Sequence, residues 1–203
     1  MRRLGAAGPP PTVFVYDQTM SKNLTPISPK YLHVFNRGTN GSQIFTTSDN
    51  YFYLIRQIAK FIKDYQIDIL AFCLMPNHYH FMFRELLQGD ASRFIQRLFN
   101  SYTQAYNKQQ NRYGTLFQGR MKKKYVESRG YALELVRYIH LNPVRSGLVR
   151  DPLDWAFSSH AEWMGIPGPE LCDLGFRSWF FESLEDYKDF IFTSDRRETL
   201  SLA

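Results

Sequence analysis

The order of hydrophobic patterns along this 203-residue chain predicts an α+β fold. The expected core is a ferredoxin-like, split βαβ antiparallel sheet with helices on one face. Three observations carry that reading. Strand-like and helix-like segments follow one another as β-α-β-β-α-β. Two of the strands are separated only by Pro76-Asn77, a link short enough to force an antiparallel hairpin. Two longer segments repeat apolar residues at spacings of three and four, the stripe of an amphipathic helix.

Residues 1–29 hold Pro9-Pro10-Pro11, Pro26 and Pro29 with little periodicity, and read as a flexible arm. Tyr31 to Phe35 is a short strand ended by Asn36-Arg37-Gly38. Thr47-Ser48-Asp49 offers a helix cap. The stripe Leu54, Ile55, Ile58, Phe61, Ile62 and Tyr65 follows it. Ile67 to Met75 is apolar almost throughout, the mark of a strand buried on both faces. His78 to Phe83 is the second arm of the hairpin. Ala91 to Asn107 carries Ile95, Leu98, Phe99, Tyr102 and Tyr106 on one helical face. Asn111 to Gln118 reads as loop, and Lys122 to Val126 as a basic strand. Ser128 to Leu141 is a helix with Leu135, Val136 and Ile139 inward, stopped by Asn142-Pro143. Leu184 to Phe192 reads as a further helix. The expected division is an arm over 1–29, a catalytic domain over 30–160 and an acidic, aromatic-rich extension over 161–203.

Composition excludes several classes. With 44% hydrophobic and 16% aromatic residues, the chain is not disordered as a whole. Two cysteines support neither a disulfide framework nor a four-thiolate zinc site. The longest apolar run, Ile69 to Met75, is too short to span a bilayer, and no apolar signal core follows Arg2-Arg3. The expected location is the cytoplasm, near the nucleoid, with no membrane partner. Net charge is +6, but unevenly distributed. Residues 108–150 hold ten Lys/Arg against two Asp/Glu, whereas residues 151–203 hold four against eleven. A basic block interleaved with aromatics suggests a polyanion site, and a solvated face is the plainer alternative. The segment beyond Gly165 is expected to fold against the rest and to compete with DNA for basic surface, against the alternative of a solvated appendage.

Two constellations could carry chemistry. In the strand pattern His78-Tyr79-His80, both imidazoles project from one face, close enough to share a metal ion or simply to line a sheet surface. Tyr138 and Asn142 stand four apart on one helical face. The phenol is a candidate nucleophile and the amide oxygen a candidate hard ligand; a core-edge tyrosine and a C-terminal helix cap would look the same. No phosphate-binding P-loop and no Gly-x-Ser-x-Gly elbow is present. The few, scattered acids of residues 1–150 do not suit a carboxylate triad. Cys73 reads as core.

Taken together, three segments resemble a known family: Leu74-Met75-Pro76-Asn77-His78-Tyr79-His80-Phe81, Gly114-Thr115-Leu116-Phe117-Gln118-Gly119-Arg120, and Arg137-Tyr138-Ile139-His140-Leu141-Asn142-Pro143-Val144-Arg145. The family is the REP-associated tyrosine transposases, within the single-tyrosine, His-hydrophobic-His branch of insertion-sequence transposases. His33 to Gly38 and Trp155 to Ser159 match its usual opening and closing segments. The resemblance covers roughly residues 30–160. It implies a ferredoxin-like domain that cleaves and rejoins single-stranded DNA at hairpin (REP-like) ends through a 5′-phosphotyrosine, as a monomer or homodimer. It also implies Tyr138 as nucleophile on an added helix, and His78, His80 and Asn142 as ligands of Mg²⁺ or Mn²⁺. The imidazoles lean the choice toward Mn²⁺. Lys122, Lys123, Lys124, Arg120, Arg112, Arg145 and Arg37 are candidates for phosphate contacts. Tyr113, Phe117 and Tyr125 are candidates for stacking on unpaired bases, with core packing the alternative for Phe117 and Tyr125. The competing functions are a domesticated module that binds hairpin DNA or RNA without cutting, and a metal-dependent hydrolase that uses water in place of Tyr138.

Overall fold

A strand has two faces, and in this protein both faces of the central strands are covered. The structure, a computed structural model, describes residues 29–193. The arm expected over 1–29 therefore lies outside the described residues but for Pro29, as does the end of the extension from 194. Strands β1 (Lys30–Arg37), β2 (Ile67–Met75), β3 (His78–Glu85) and β4 (Lys122–Tyr125) form one sheet. Its order is β2-β3-β1-β4, with every neighbouring pair antiparallel. Helix α1 (Ser48–Phe61) links β1 to β2, and β3 lies between those two strands. The first βαβ is thus split by the strand that follows it.

Alternation sorts the side chains. Leu32, Val34, Phe72, Leu74, Tyr79, Phe81 and Phe83 join the apolar stripes of α1 and of α2 (Asp90–Gln109) in one buried cluster. Leu70, Ala71, Cys73, Met75 and Met82 face the other way, into a second cluster with Leu135, Val136 and Ile139 of α3 (Arg129–Arg145). A β-bulge between Ile69 and Ala71 shifts the register of β2 against β3. Leu70 and Ala71 consequently both join the second cluster, while Ile69 and Phe72 join the first. That is why the sequence of β2 is apolar without alternation. Helices thus lie on both faces, with the expected pair α1 and α2 on one and the added helix α3 on the other.

Helix α3 runs four residues past the expected stop. Pro143 lies inside it, and the helix ends at Arg145. Proline removes one N–H, the one that would reach the Ile139 carbonyl. The hydrogen bonds resume beyond it, from the Ser146 N–H to the Asn142 carbonyl at 3.0 Å and from the Leu148 N–H to the Pro143 carbonyl at 3.0 Å. A proline in the last turn costs one bond and leaves the turn standing, so Asn142 is a helical residue whose side chain is free for other work.

The segment after α3 covers the outer edge of β2. The Leu74 N–H donates to the Phe157 carbonyl, the Ser159 N–H to the Phe72 carbonyl and the Asp173 N–H to the Ile69 carbonyl, at 2.8–2.9 Å. A sheet edge that would otherwise present unpaired groups is closed this way. Short helices α4 (His160–Trp163) and α5 (Gly175–Ser178) and helix α6 (Leu184–Phe192) follow. Trp163, Phe176, Tyr187 and Ile191 are buried in the same cluster as α3. The extension therefore packs as expected. It does so through rings rather than charges: among the described residues, no ion pair joins an acid of 151–193 to a base of 108–150. The expected competition for basic surface has no such contact to support it. Among the described residues no helix is long and apolar enough to cross a membrane.

A chain of buried polar groups ties α6 to α3. The Tyr187 hydroxyl lies 2.7 Å from Nδ1 of both His140 and His160. His140 Nε2 lies 2.8 Å from Ser159 Oγ, which meets the backbone N–H and carbonyl of Phe72. One assignment uses every contact: His160 Nδ1–H donates to Tyr187, Tyr187 to His140 Nδ1, His140 Nε2–H to Ser159, and Ser159 to Phe72. Both imidazoles are neutral in it. Burial holds His160 at about 4 despite the opposing Asp151. Burial also holds His140 well below its usual value, with His160 adding to the effect. The unfolded chain takes up these protons near pH 6.5, whereas the folded chain takes up that of His160 only near 4. Stability from this pair is therefore full above pH 6.5 and is lost as pH falls toward 4. For His160 the loss by pH 5 is about 2 kcal/mol. The melting temperature should fall steeply between pH 6.5 and 4.5, and His160→Gln should flatten that fall. A profile unaltered by the substitution would refute the assignment.

Candidate active site

The register of β1 against β3 assembles the site. Phe35 lies opposite His80, and His33 opposite Met82. Paired residues in an antiparallel ladder share a face, so His33, Phe35, His78 and His80 all point toward α3. His78 and His80, two apart on β3, stand with ring centroids 5.0 Å apart. The fourth strand continues the row, with Lys122 opposite Phe35 and Lys124 opposite His33. Both ammonium groups lie 5.9 Å from the Phe35 ring. Lys123 and Tyr125 take the other face, where Lys123 Nζ reaches Ser92 Oγ at 3.5 Å.

Helix α3 brings the remaining groups. Asn142 is buried, and its Oδ1 lies 3.2 Å from His78 Nε2. Tyr138, one turn earlier, places its ring edge-on to His80 with centroids 5.1 Å apart. The Arg145 guanidinium sits 5.6 Å from the Tyr138 ring. The four residues singled out in the sequence, His78, His80, Tyr138 and Asn142, therefore meet, although more than fifty residues separate the two pairs. His78, His80 and Tyr138 border a cleft of about 480 Å³ whose other lining residues include Phe35, Arg37, Gln118 and Lys122, with Asn142 buried behind His78. The Arg37 Nε–H donates to Gln118 Oε1 at 2.5 Å, which fixes the guanidinium at the mouth.

Sequence reasoning missed His33. It is fully buried, and its Nε2 lies 3.0 Å from His80 Nδ1. The signal was present: His33 is two residues from Phe35 on β1, so a register that pairs Phe35 with His80 brings His33 to the same face. Asn77 similarly holds the far side of His78, with its Oδ1 2.7 Å from Nδ1.

The imidazoles are electrically neutral. Burial holds His33 at about 3, with Lys124 as a second cause. Burial, then the neighbouring His33 and His78, holds His80 well below the ordinary range. His78 is also lowered by burial, against an opposing contribution from its Asn142 contact. Neutral imidazoles offer lone pairs, which is the state a metal ion requires.

Do these donors fit a divalent cation? Among the described residues His80 Nε2 is buried and without a hydrogen-bond partner, as is His33 Nδ1. If His80 Nδ1–H donates to His33, then Nε2 carries a lone pair aimed at the site. The 3.2 Å between His78 Nε2 and Asn142 Oδ1 is close to the edge of an octahedron of donors at about 2.1 Å from its centre, roughly 3 Å. No group of three His, Cys, Asp or Glu is placed to hold a metal among the described residues. The third donor would be the amide oxygen of Asn142, a hard ligand suited to Mg²⁺ or Mn²⁺. The donor set fits the cation.

Not every predicted residue reaches the cleft. Phe117 packs against Phe99 and Tyr79, with centroids 5.0 and 5.8 Å away, on the face covered by α2. Arg120 lines a separate pocket on that same side. Arg112 donates to the Thr115 carbonyl at 3.1 Å, and Tyr113 is almost fully exposed, both in the loop after α2.

Residues 28–142 match the family described as Transposase IS200 like. A solved structure of a REP-associated tyrosine transposase bound to a REP hairpin is similar, with a TM-score of 0.58 and 21% identity over 75% of this chain and 91% of the other. A candidate transposase from Deinococcus radiodurans R1 is similar over 59% of this chain and 95% of the other, with a TM-score of 0.40 and 17% identity. No curated protein matches at a significant level.

Proposed function

This chain belongs to the IS200-like transposase family, and we propose that it cleaves and rejoins single-stranded DNA at hairpin-bearing (REP-like) ends through a covalent bond to Tyr138. The observation that carries this reading is the convergence of Tyr138, His78 and His80 on one cleft rimmed by Lys122 and Arg37, with Asn142 against His78. The solved relative with a bound REP hairpin supports the choice of substrate.

The phenol of Tyr138 attacks the scissile phosphorus. The phenol loses its proton as its oxygen bonds to phosphorus, the P–O3′ bond breaks, the 3′ oxygen takes up a proton and leaves as a hydroxyl, and the 5′ phosphate stays on the tyrosine. A free 3′-OH can later reverse the reaction, so rejoining needs no ATP. His78, His80 and Asn142 would hold Mg²⁺ or Mn²⁺, which when bound offsets the charge on the non-bridging oxygens. His33 acts through His80: as acceptor for Nδ1–H it fixes the tautomer that leaves Nε2 free. Lys122, Lys124, Arg37 and Arg145 meet the phosphates on either side. A domesticated binder of hairpin DNA or RNA remains the second reading, favoured by the basic edge alone; it has no use for the buried, unpartnered His80 Nε2.

The decisive experiment is incubation with a labelled single-stranded hairpin and Mn²⁺, followed by a denaturing gel. A labelled protein band should form, and Tyr138→Phe should abolish it while hairpin affinity stays within about twofold. An adduct that persists in Tyr138→Phe would move the nucleophile to Tyr131 or Tyr125.

Metal binding has its own readout. Mn²⁺ titration should give one site, lost in His80→Ala. His33→Ala should weaken it by roughly 10- to 100-fold, the usual effect of removing a group that orients a ligand. His33→Gln, which keeps an acceptor, should recover most of the affinity. Equal affinity in all three would remove His33 from the site.

The three lysines should separate. Log affinity for single-stranded DNA falls with log salt by about 0.7 per neutralised phosphate. The pair Lys122→Ala and Lys124→Ala should flatten that slope by roughly 1.4. Lys123→Ala, on the other face, should leave it unchanged.

A further inference from the structure

A second concavity, of about 460 Å³, opens at the far end of α3 from the cleft. Its walls are aromatic: Tyr31 from β1, and Phe176, Trp179 and Phe180 from α5 and the turn after it. The first turn of α3 closes it with Ser128, Arg129 and Ala132, and Glu127 lies on the rim. The rings form a connected set. Phe176 stands 5.8 Å from Tyr31, 5.8 Å from Trp179 and 5.0 Å from Phe180. Arg129 lies 4.7 Å over Phe180 and donates to the Trp179 carbonyl, which holds that wall in place. Trp179 nevertheless remains 56% exposed, an unusual state for the largest side chain of a packed segment.

The concavity and the cleft lie along one strand, with the fully buried His33 between them. Tyr31, His33 and Phe35 form one row on the α3 side of β1, with Tyr31 in the concavity and Phe35 in the cleft. Four strand residues span about 13 Å. Lys124 and Lys122 lie alongside that row on β4, opposite His33 and Phe35. Two lysines thus lie between an aromatic recess and the reacting centre, the combination that binds a single strand by its phosphates and its unstacked bases. Glu127 and Ser128 supply an acceptor and a hydroxyl for a base edge.

We infer that this recess takes one unpaired nucleobase of the same DNA strand, stacked on Trp179, while Lys124 and Lys122 hold the phosphates between it and the cleft. The inference deepens the proposed function and rests on its choice of single-stranded DNA as substrate. Even at the 3.4 Å spacing of a duplex strand, about 13 Å spans no more than roughly four nucleotides between the base and the scissile phosphate. The recess would then select the sequence beside the hairpin, independently of the chemistry.

The test measures binding in EDTA, where no cleavage occurs, using hairpins with 5′ or 3′ single-stranded flanks of zero to eight nucleotides. Affinity should rise at the flank length that reaches the recess, on the order of tenfold. Trp179→Ala should erase that rise and leave the unflanked hairpin unaffected, whereas Trp179→Phe should keep most of it. One abasic nucleotide at the critical position should reproduce the loss and add nothing in Trp179→Ala. A rise that survives Trp179→Ala, or abasic losses that add to it, would overturn the inference. A chain that forms the Tyr138 adduct yet shows no dependence on Trp179 would overturn this inference alone; one that binds none of these DNAs would overturn the proposed function with it.

Discussion

The antiparallel pairing of β1 with β3 is the constraint on which the site depends. Side chains alternate along a strand, so a slip of one residue would turn one strand over, either His33 into the core with Leu32 and Val34 out toward α3, or His78 and His80 into the core with Phe81 out. The cost of exposing that apolar set is what fixes the histidines. No interaction among the histidines is needed to place them; the burial of Leu32, Val34, Tyr79, Phe81 and Phe83 under α1 and α2 does it from the opposite face. The sheet separates its two tasks by face, and the apolar face determines where the polar one stands.

The second requirement is the placement of α3, which must set Asn142 within hydrogen-bonding distance of β3 and the Tyr138 ring edge-on to His80. Apolar burial of Leu135, Val136 and Ile139 against Leu70, Ala71 and Cys73 gives adhesion but little direction. Directional groups supply the rest. The His160–Tyr187–His140–Ser159 chain joins α3 to α6 and to β2. Arg137 donates twice to the Phe190 carbonyl, at 3.0 and 2.7 Å, and lies 3.8 Å over the Phe190 ring. The segment after residue 160 thus bears on the site without touching it. It clamps the opposite side of the helix that carries the tyrosine.

Much of this was legible in the sequence because it followed from local rules. The helical stripes, the tight Pro76-Asn77 turn and the alternation of His78-Tyr79-His80 each occupy a few consecutive residues. What was missed depended on residues far apart. His33 is 47 positions from His80, and only the strand register connects them. The end of α3 was misplaced because Pro143 is a strong local stop, yet its cost is confined to one hydrogen bond when it falls in a last turn. The three lysines look equivalent in sequence; one-residue alternation divides them, two toward the cleft and one toward α2. Phe117 was one of two rings for which stacking and packing could not be told apart from composition, and Phe99 and Tyr79 settle its contacts.

The two edges of the sheet show why the reactive cleft lies where it does. Any open edge invites pairing with another chain, and it can be covered or charged. The β2 edge is covered, by residues 157–173. The β4 edge is short and carries Lys122, Lys123 and Lys124, so another strand that approached it would meet three ammonium groups. Covering β4 in the manner of β2 would bury the ground between the cleft and the recess. Leaving it open demands charge, and positive charge at an open edge is also what a phosphate backbone requires. Protection of the edge and attraction of a nucleic acid are met by the same side chains, which accounts for a basic run in a strand where β-propensity alone would disfavour lysine.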